Sequence, residues 1–143
     1  MTRLRLATDI GTGTLDGGWW PRGRDLTTEL TELAAALPTE LGTVHRVELS
    51  GADWDDLPSA VELPSGPASV HAFADAEETN RIDLQLSAGT TLRLLVVPPE
   101  MTPGQGDEAL LAAATYGYHH TAASLLETVR EHPDVDPRDQ WLG

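Results

Sequence analysis

Apolar positions recur at two different periods along this chain, and the changes of period mark out its elements. Leu4 and Leu6 alternate with Arg3 and Arg5, which predicts a half-buried strand over 3–7. A second strand is expected over 14–20, with Gly17 and Gly18 marking a bulge or a close backbone approach. Leu26, Leu30, Leu33 and Leu37 then follow at spacings of four, three and four, which predicts an amphipathic helix that begins at Asp25 and stops at Pro38. A strand is expected over 43–50, with His45, Val47 and Leu49 on one side and Val44, Arg46 and Glu48 on the other. The stretch 60–67 fits neither period, and 69–74 reads as a short strand. The clearest hairpin pairs 81–87 with 91–97 across Ala88-Gly89. Its second strand carries Leu95 and Val97 on the face opposite Leu92, Leu94 and Val96, so it is expected to be covered on both sides.

The last third reads as two helices. Thr102, Pro103 and Gln105 form a capping-box start, although Gly104 and Gly106 loosen the first turn. Tyr116-Gly117 breaks this helix, and a second runs from Thr121 to about Glu131, before Pro133. The predicted order is therefore β-β-α-β-β-β-β-α-α. Short turns between strands argue for an α+β fold with an antiparallel, strongly twisted sheet of about six strands. One helix follows the first hairpin, and a C-terminal pair of helices packs on the sheet. A single domain is expected over 1–132, followed by a loose tail over 133–143.

The residues at Leu15–Leu26 read LDGGWWPRGRDL. With RLRL at Arg3–Leu6, LLVVPPE at Leu94–Glu100 and HTAASLL at His120–Leu126, the chain resembles a family of actinobacterial proteins of unknown function that carries an LDGxWWPRxRDL motif. The resemblance spans nearly the whole chain, with Gly18 in place of the family's Ala and Gly23 in place of its Ser. It implies a single bacterial domain in the cytoplasm and carries no activity.

Composition narrows the chemistry. The chain has 143 residues, nine Arg, no Lys, no Cys and a net charge of −14. Disulfides, thiol catalysis and thiolate metal sites are thereby excluded. The acidic balance disfavours nucleic acid and anionic membrane surfaces as partners. The opening residues lack the apolar core of a secretion signal, so a cytoplasmic location is expected.

The densest candidate surface is residues 16–25. Trp19 and Trp20 are adjacent on a strand and point to opposite faces, so one can fill the core while the other meets solvent, a helix or a ligand. Arg22 and Arg24 on the following turn could clamp a carboxylate or phosphate beside a helix N-terminus. The structural alternative is that a Trp plugs the sheet end and Arg22 pairs with Asp16 or Asp25. Trp54 sits in Asp53-Trp54-Asp55-Asp56, whose spacing is not that of a calcium loop and which reads as a solvated acidic loop. His119-His120 diverge on a helix and lack the spacing of a zinc motif. No nucleophile elbow or phosphate-binding loop is present. Neither a metal nor another cofactor is expected, and no catalytic residue is assigned.

The candidate ligand-binding residues are Asp16, Trp19, Trp20, Arg22, Arg24 and Trp54. The leading expectation is a non-enzymatic module, monomer or homodimer, that binds a protein or a small anionic or planar ligand. The alternative is a small enzyme or ligand sensor with a pocket lined by Trp19 or Trp20, Trp54, His71 and His119.

Overall fold

The computed structural model describes residues 3–7, 15–74, 79–116 and Leu126. Its strands are β1 (Arg3–Leu6), β2 (Gly17–Trp20), β3 (Val44–Leu49), β4 (Ala60–Leu63), β5 (Gly66–Ala72), β6 (Arg81–Leu86) and β7 (Thr91–Val96). Its helices are α1 (Leu26–Ala36) and α2 (Pro103–Tyr116). All seven strands form one sheet in the order β1-β2-β7-β6-β3-β5-β4.

The sheet is mixed, which corrects the antiparallel expectation. β2 runs parallel to β7, and β3 runs parallel to β5. The other neighbours are antiparallel. Reading each short turn as a hairpin between sheet neighbours produced the error. The β4–β5 hairpin inserts its second strand beside β3, and the β6–β7 hairpin closes against β2 rather than ending the sheet. The seventh strand is β4, which falls in the stretch that showed no period.

α1 follows the first hairpin, as expected, but among the described residues α2 stands where a packed C-terminal pair was expected. α1 covers one face and α2 the other. Leu26, Leu30, Leu33 and Leu37 join Leu49, Leu63, Ile82, Leu84, Leu92 and Leu94 in the larger core. Burying each such Leu removes apolar surface worth about 1.5–3 kcal/mol. On the opposite face, α2 brings Ala109, Leu110, Ala112 and Ala113 against Trp20, Leu95 and Val97. β7 is therefore covered on both sides at Leu94 and Leu95. The second expected C-terminal helix and the tail lie outside the described residues, apart from Leu126, which is helical and buried in this second core.

Two local features set the geometry. β3 shifts register between Val44 and Arg46, so Val44 turns inward with Val47 and Leu49 while His45 is exposed. Strict alternation had grouped His45 with Val47 and Leu49 and set Val44 on the other side; the bulge reverses both. Gly17 has φ +156, and a Cβ there would collide with the Arg5 carbonyl oxygen. Only glycine lets β1 and β2 pair at this point.

Candidate functional site

β2 and β7 are adjacent parallel strands, and the helices that follow them go to opposite faces of the sheet. In open α/β sheets such a divergence leaves a crevice outside the carboxyl ends of the two strands, and ligands collect there. By that rule the crevice position here lies between the Pro21–Asp25 turn into α1 and the Val97–Thr102 turn into α2. Both helices begin at this end of the sheet, and their aligned peptide dipoles favour negative charge there. At the start of α2 the Thr102 hydroxyl already accepts from the Gln105 N–H, and beside α1 the Glu29 carboxylate accepts from the Arg22 N–H.

Trp19 and Trp20 sit beneath this crest, one on each face. Trp19 is 1% exposed and belongs to the α1-side core. Its ring stacks on Trp54, with centroids 5.5 Å apart and planes 28° from parallel. Trp20 is buried against α2, and its indole N–H donates to the Pro98 carbonyl at 3.1 Å. The Arg3 guanidinium lies 3.8 Å from the Trp20 ring centroid, and Arg3 also donates to the carbonyls of Trp20 and Pro21. Burial, then the charge of Arg22, lowers the Arg3 pKa, while Glu29 and Asp107 oppose the shift. All three of these Trp side chains are buried, so none offers an open stacking platform.

Arg24 ties the crest together. Its Nη1 donates to the Asp53 carbonyl at 2.9 Å, and its own carbonyl accepts from the Asp55 N–H at 2.9 Å. Its Nη2 donates to both carboxylate oxygens of Glu100, at 2.9 and 2.8 Å. Arg24 thus spans from the turn after β2 to the turn after β7. Arg22 is exposed, and its backbone N–H donates to Glu29 Oε1 at 3.0 Å. Glu29 is buried in the first turn of α1.

Asp53 is buried beside this clasp. Its Oδ2 accepts from the Asn80 N–H at 2.7 Å. Burial raises its pKa, an effect opposed by that hydrogen bond and by the charge of Arg24. Asn80 holds a left-handed φ of 59° and donates from its side chain to the Val96 carbonyl at 3.3 Å. The Trp54 indole N–H, on the next residue, is buried with no hydrogen-bond partner.

The predicted residues divide into two groups. Trp19, Trp54 and Arg24 meet at the crest, with Trp20 under its other side and Arg22 on its rim. Asp16 sits at the opposite end of β2, fully buried. It accepts from the Arg93 N–H at 2.8 Å and lies 3.8 Å from Arg93 Nε. Asp25 accepts from the Thr28 hydroxyl at 2.6 Å. His71 alternates with the inward Val70 on β5, and its buried Nε2 has no partner. His119 and His120 lie outside the described residues. Among the described residues, no group of three or more His, Asp or Glu side chains could hold a metal ion. A cavity of about 340 Å³ opens at the other end of α1, lined by Ala34, Leu37, Thr43, Val44 and Pro64 among others, with neither Trp nor His in its wall.

The same stretch of chain is covered by a known profile. The family of unknown function DUF5994 matches residues 3–113. The chain belongs to this family. The match runs from β1 into α2, so it includes both turns that flank the crevice. Neither the curated proteins nor the solved structures yield a match. No helix among the described residues is long and apolar enough to cross a membrane.

Sequence reasoning missed Arg3, Asp53 and Asn80 as parts of this site. Arg3 looked like the solvent side of a strand. Asn80 gave only the weak signal that asparagine tolerates a left-handed turn. Glu100 closes the LLVVPPE stretch, but nothing in the sequence linked it to Arg24, its partner 76 residues away.

Proposed function

We propose that this DUF5994 domain is a non-enzymatic binding module of the bacterial cytoplasm, and that it takes an anionic ligand at the crest of β2 and β7. The observation that carries the reading is the divergence of α1 and α2 from adjacent parallel strands, with Arg22 and Arg24 on the turn between β2 and α1. Arg24 turns its Nη2 toward a carboxylate, Arg22 lies exposed on the same turn, and two helices start beside them, so the crest offers positive charge and N–H donors to a carboxylate or phosphate. The buried tryptophans give the crest a rigid floor, so it needs little ordering when a ligand arrives.

The test compares wild type with the Arg22→Ala/Arg24→Ala double variant, both purified gently from the native source and weighed by native mass spectrometry. The wild type is expected to carry extra mass that the double variant loses, while the melting temperature falls by only a few degrees. Equal retention by both proteins, or a loss of mass matched by unfolding, would assign the arginines a structural role instead.

A further inference from the structure

Arg24 is fixed by contacts that do not involve Glu100. One guanidinium nitrogen is spent on the Asp53 carbonyl, and the backbone carbonyl is spent on Asp55. The other terminal nitrogen faces outward and is met by a single carboxylate on both its oxygens. That carboxylate comes from an open position: the side chain of Glu100 is 66% exposed, against 34% for Arg24. Arg24 thus has anchors of its own at the crest, and Glu100 is the more solvent-exposed half of the pair. Exposed ion pairs hold weakly, because each partner gives up hydration and side-chain freedom to form them. The two halves also belong to the two turns that flank the crevice.

We infer that Glu100 is a built-in occupant of a carboxylate-binding site centred on Arg24, and that the ligand of the crest is an organic carboxylate which displaces it. This inference rests on the binding reading above and names its ligand class. The bound ligand carboxylate accepts from Arg24 as Glu100 does in the free protein. Glu100 gives up its contact with Arg24, while the turn between β7 and α2 stays held to the end of β2 by the Trp20 indole on the Pro98 carbonyl. Glu100 thereby sets an affinity threshold: only a ligand that outcompetes a tethered carboxylate occupies the site. Asp53, Glu29 and the net charge of −14 would repel an anion with no guanidinium to meet it, which sharpens the dependence on Arg24.

The experiment titrates wild type, Glu100→Ala, Glu100→Gln and Arg24→Lys/Glu100→Ala with sodium succinate and, separately, with inorganic phosphate, at constant ionic strength. Binding is read by isothermal calorimetry, and folding by far-ultraviolet circular dichroism. Because Glu100 is exposed, its variants are expected to fold. Removing an occupant held as weakly as an exposed ion pair should raise succinate affinity roughly two- to sixfold. Arg24→Lys keeps the charge but has one nitrogen in place of the two that Arg24 divides between the Asp53 carbonyl and the carboxylate, so the gain should vanish in the double variant. Equal succinate affinity in wild type and Glu100→Ala would overturn the inference, as would a gain that survives Arg24→Lys or a gain for phosphate alone. If the arginine variants lose the native adduct while Glu100→Ala gains nothing, the occupant role fails and the binding reading stands. If the arginine variants keep the adduct, both fail.

Discussion

Gly106 and Gly104 lie two residues apart in α2 and should respond to alanine in opposite directions. In a helix interior, alanine is favoured over glycine by about 1 kcal/mol, less in the first turn. At Gly104 nothing lies within 4 Å of the added carbon, so the backbone term acts alone. At Gly106 the added carbon would overlap the Trp20 ring at Cη2, Cζ3 and Cζ2. That ring has nowhere to go. Its N–H is committed to the Pro98 carbonyl at 3.1 Å, and the Arg3 guanidinium lies 3.8 Å from its centroid. Overpacking costs about 1–3 kcal/mol, and losing the indole hydrogen bond adds about 1 kcal/mol. Against the helix gain, Gly106→Ala should be destabilised by about 1–3 kcal/mol, which is a drop of roughly 3–12 °C in melting temperature for a domain of this size. Gly104→Ala should be unchanged or slightly more stable. Thermal and urea unfolding of both variants checks this, with Trp20→Phe in the Gly106→Ala background expected to recover part of the loss. A Gly106→Ala protein as stable as wild type would refute the close packing of α2 on Trp20.

Two other positions test the buried polar groups. Asp53 is a carboxylate whose pKa is raised on folding, so the folded state binds more protons than the unfolded state between the ordinary and the raised value. Stability from this group is present in full below the ordinary carboxylate range and declines as pH rises through the raised value. Asp53→Asn should flatten that decline in chemical denaturation across acid pH and cost little at neutral pH; a steeper decline would contradict it. Asp16→Ala should cost about 1–3 kcal/mol, because it leaves the Arg93 N–H without its buried acceptor, whereas Asp16→Asn should cost less. Equal losses for the two variants in urea unfolding would count against that pairing.

How much of the fold was legible depended on how local its cause was. The α1 helix followed from four leucines on one face, and the β6–β7 hairpin followed from clean alternation around Ala88-Gly89. The start of α2 was legible too, since Thr102 and Gln105 exchange the expected capping contacts at 3.2 and 3.4 Å. Sheet order was not legible. All four residues of β2 are buried, so its pattern of Gly17-Gly18-Trp19-Trp20 carries no mark of which neighbour runs parallel to it. The β3 bulge was silent because Val44 and His45 can each occupy either face of a strand. The tryptophan–arginine segment stood out by its composition. Its partners did not, because Arg24 with Glu100 and Asp16 with Arg93 are paired across most of the chain, where spacing holds no information.

The central claim is that the crest of β2 and β7 receives an anionic ligand at Arg24. The most direct test is to titrate isotopically labelled protein with sodium succinate and follow its backbone amide resonances by NMR. Binding at Arg24 should concentrate the shifts in residues 20–26, 53–55 and 97–102, and they should disappear in Arg24→Ala. Shifts centred on the cavity at the other end of α1, or none up to millimolar succinate in both wild type and Glu100→Ala, would contradict it.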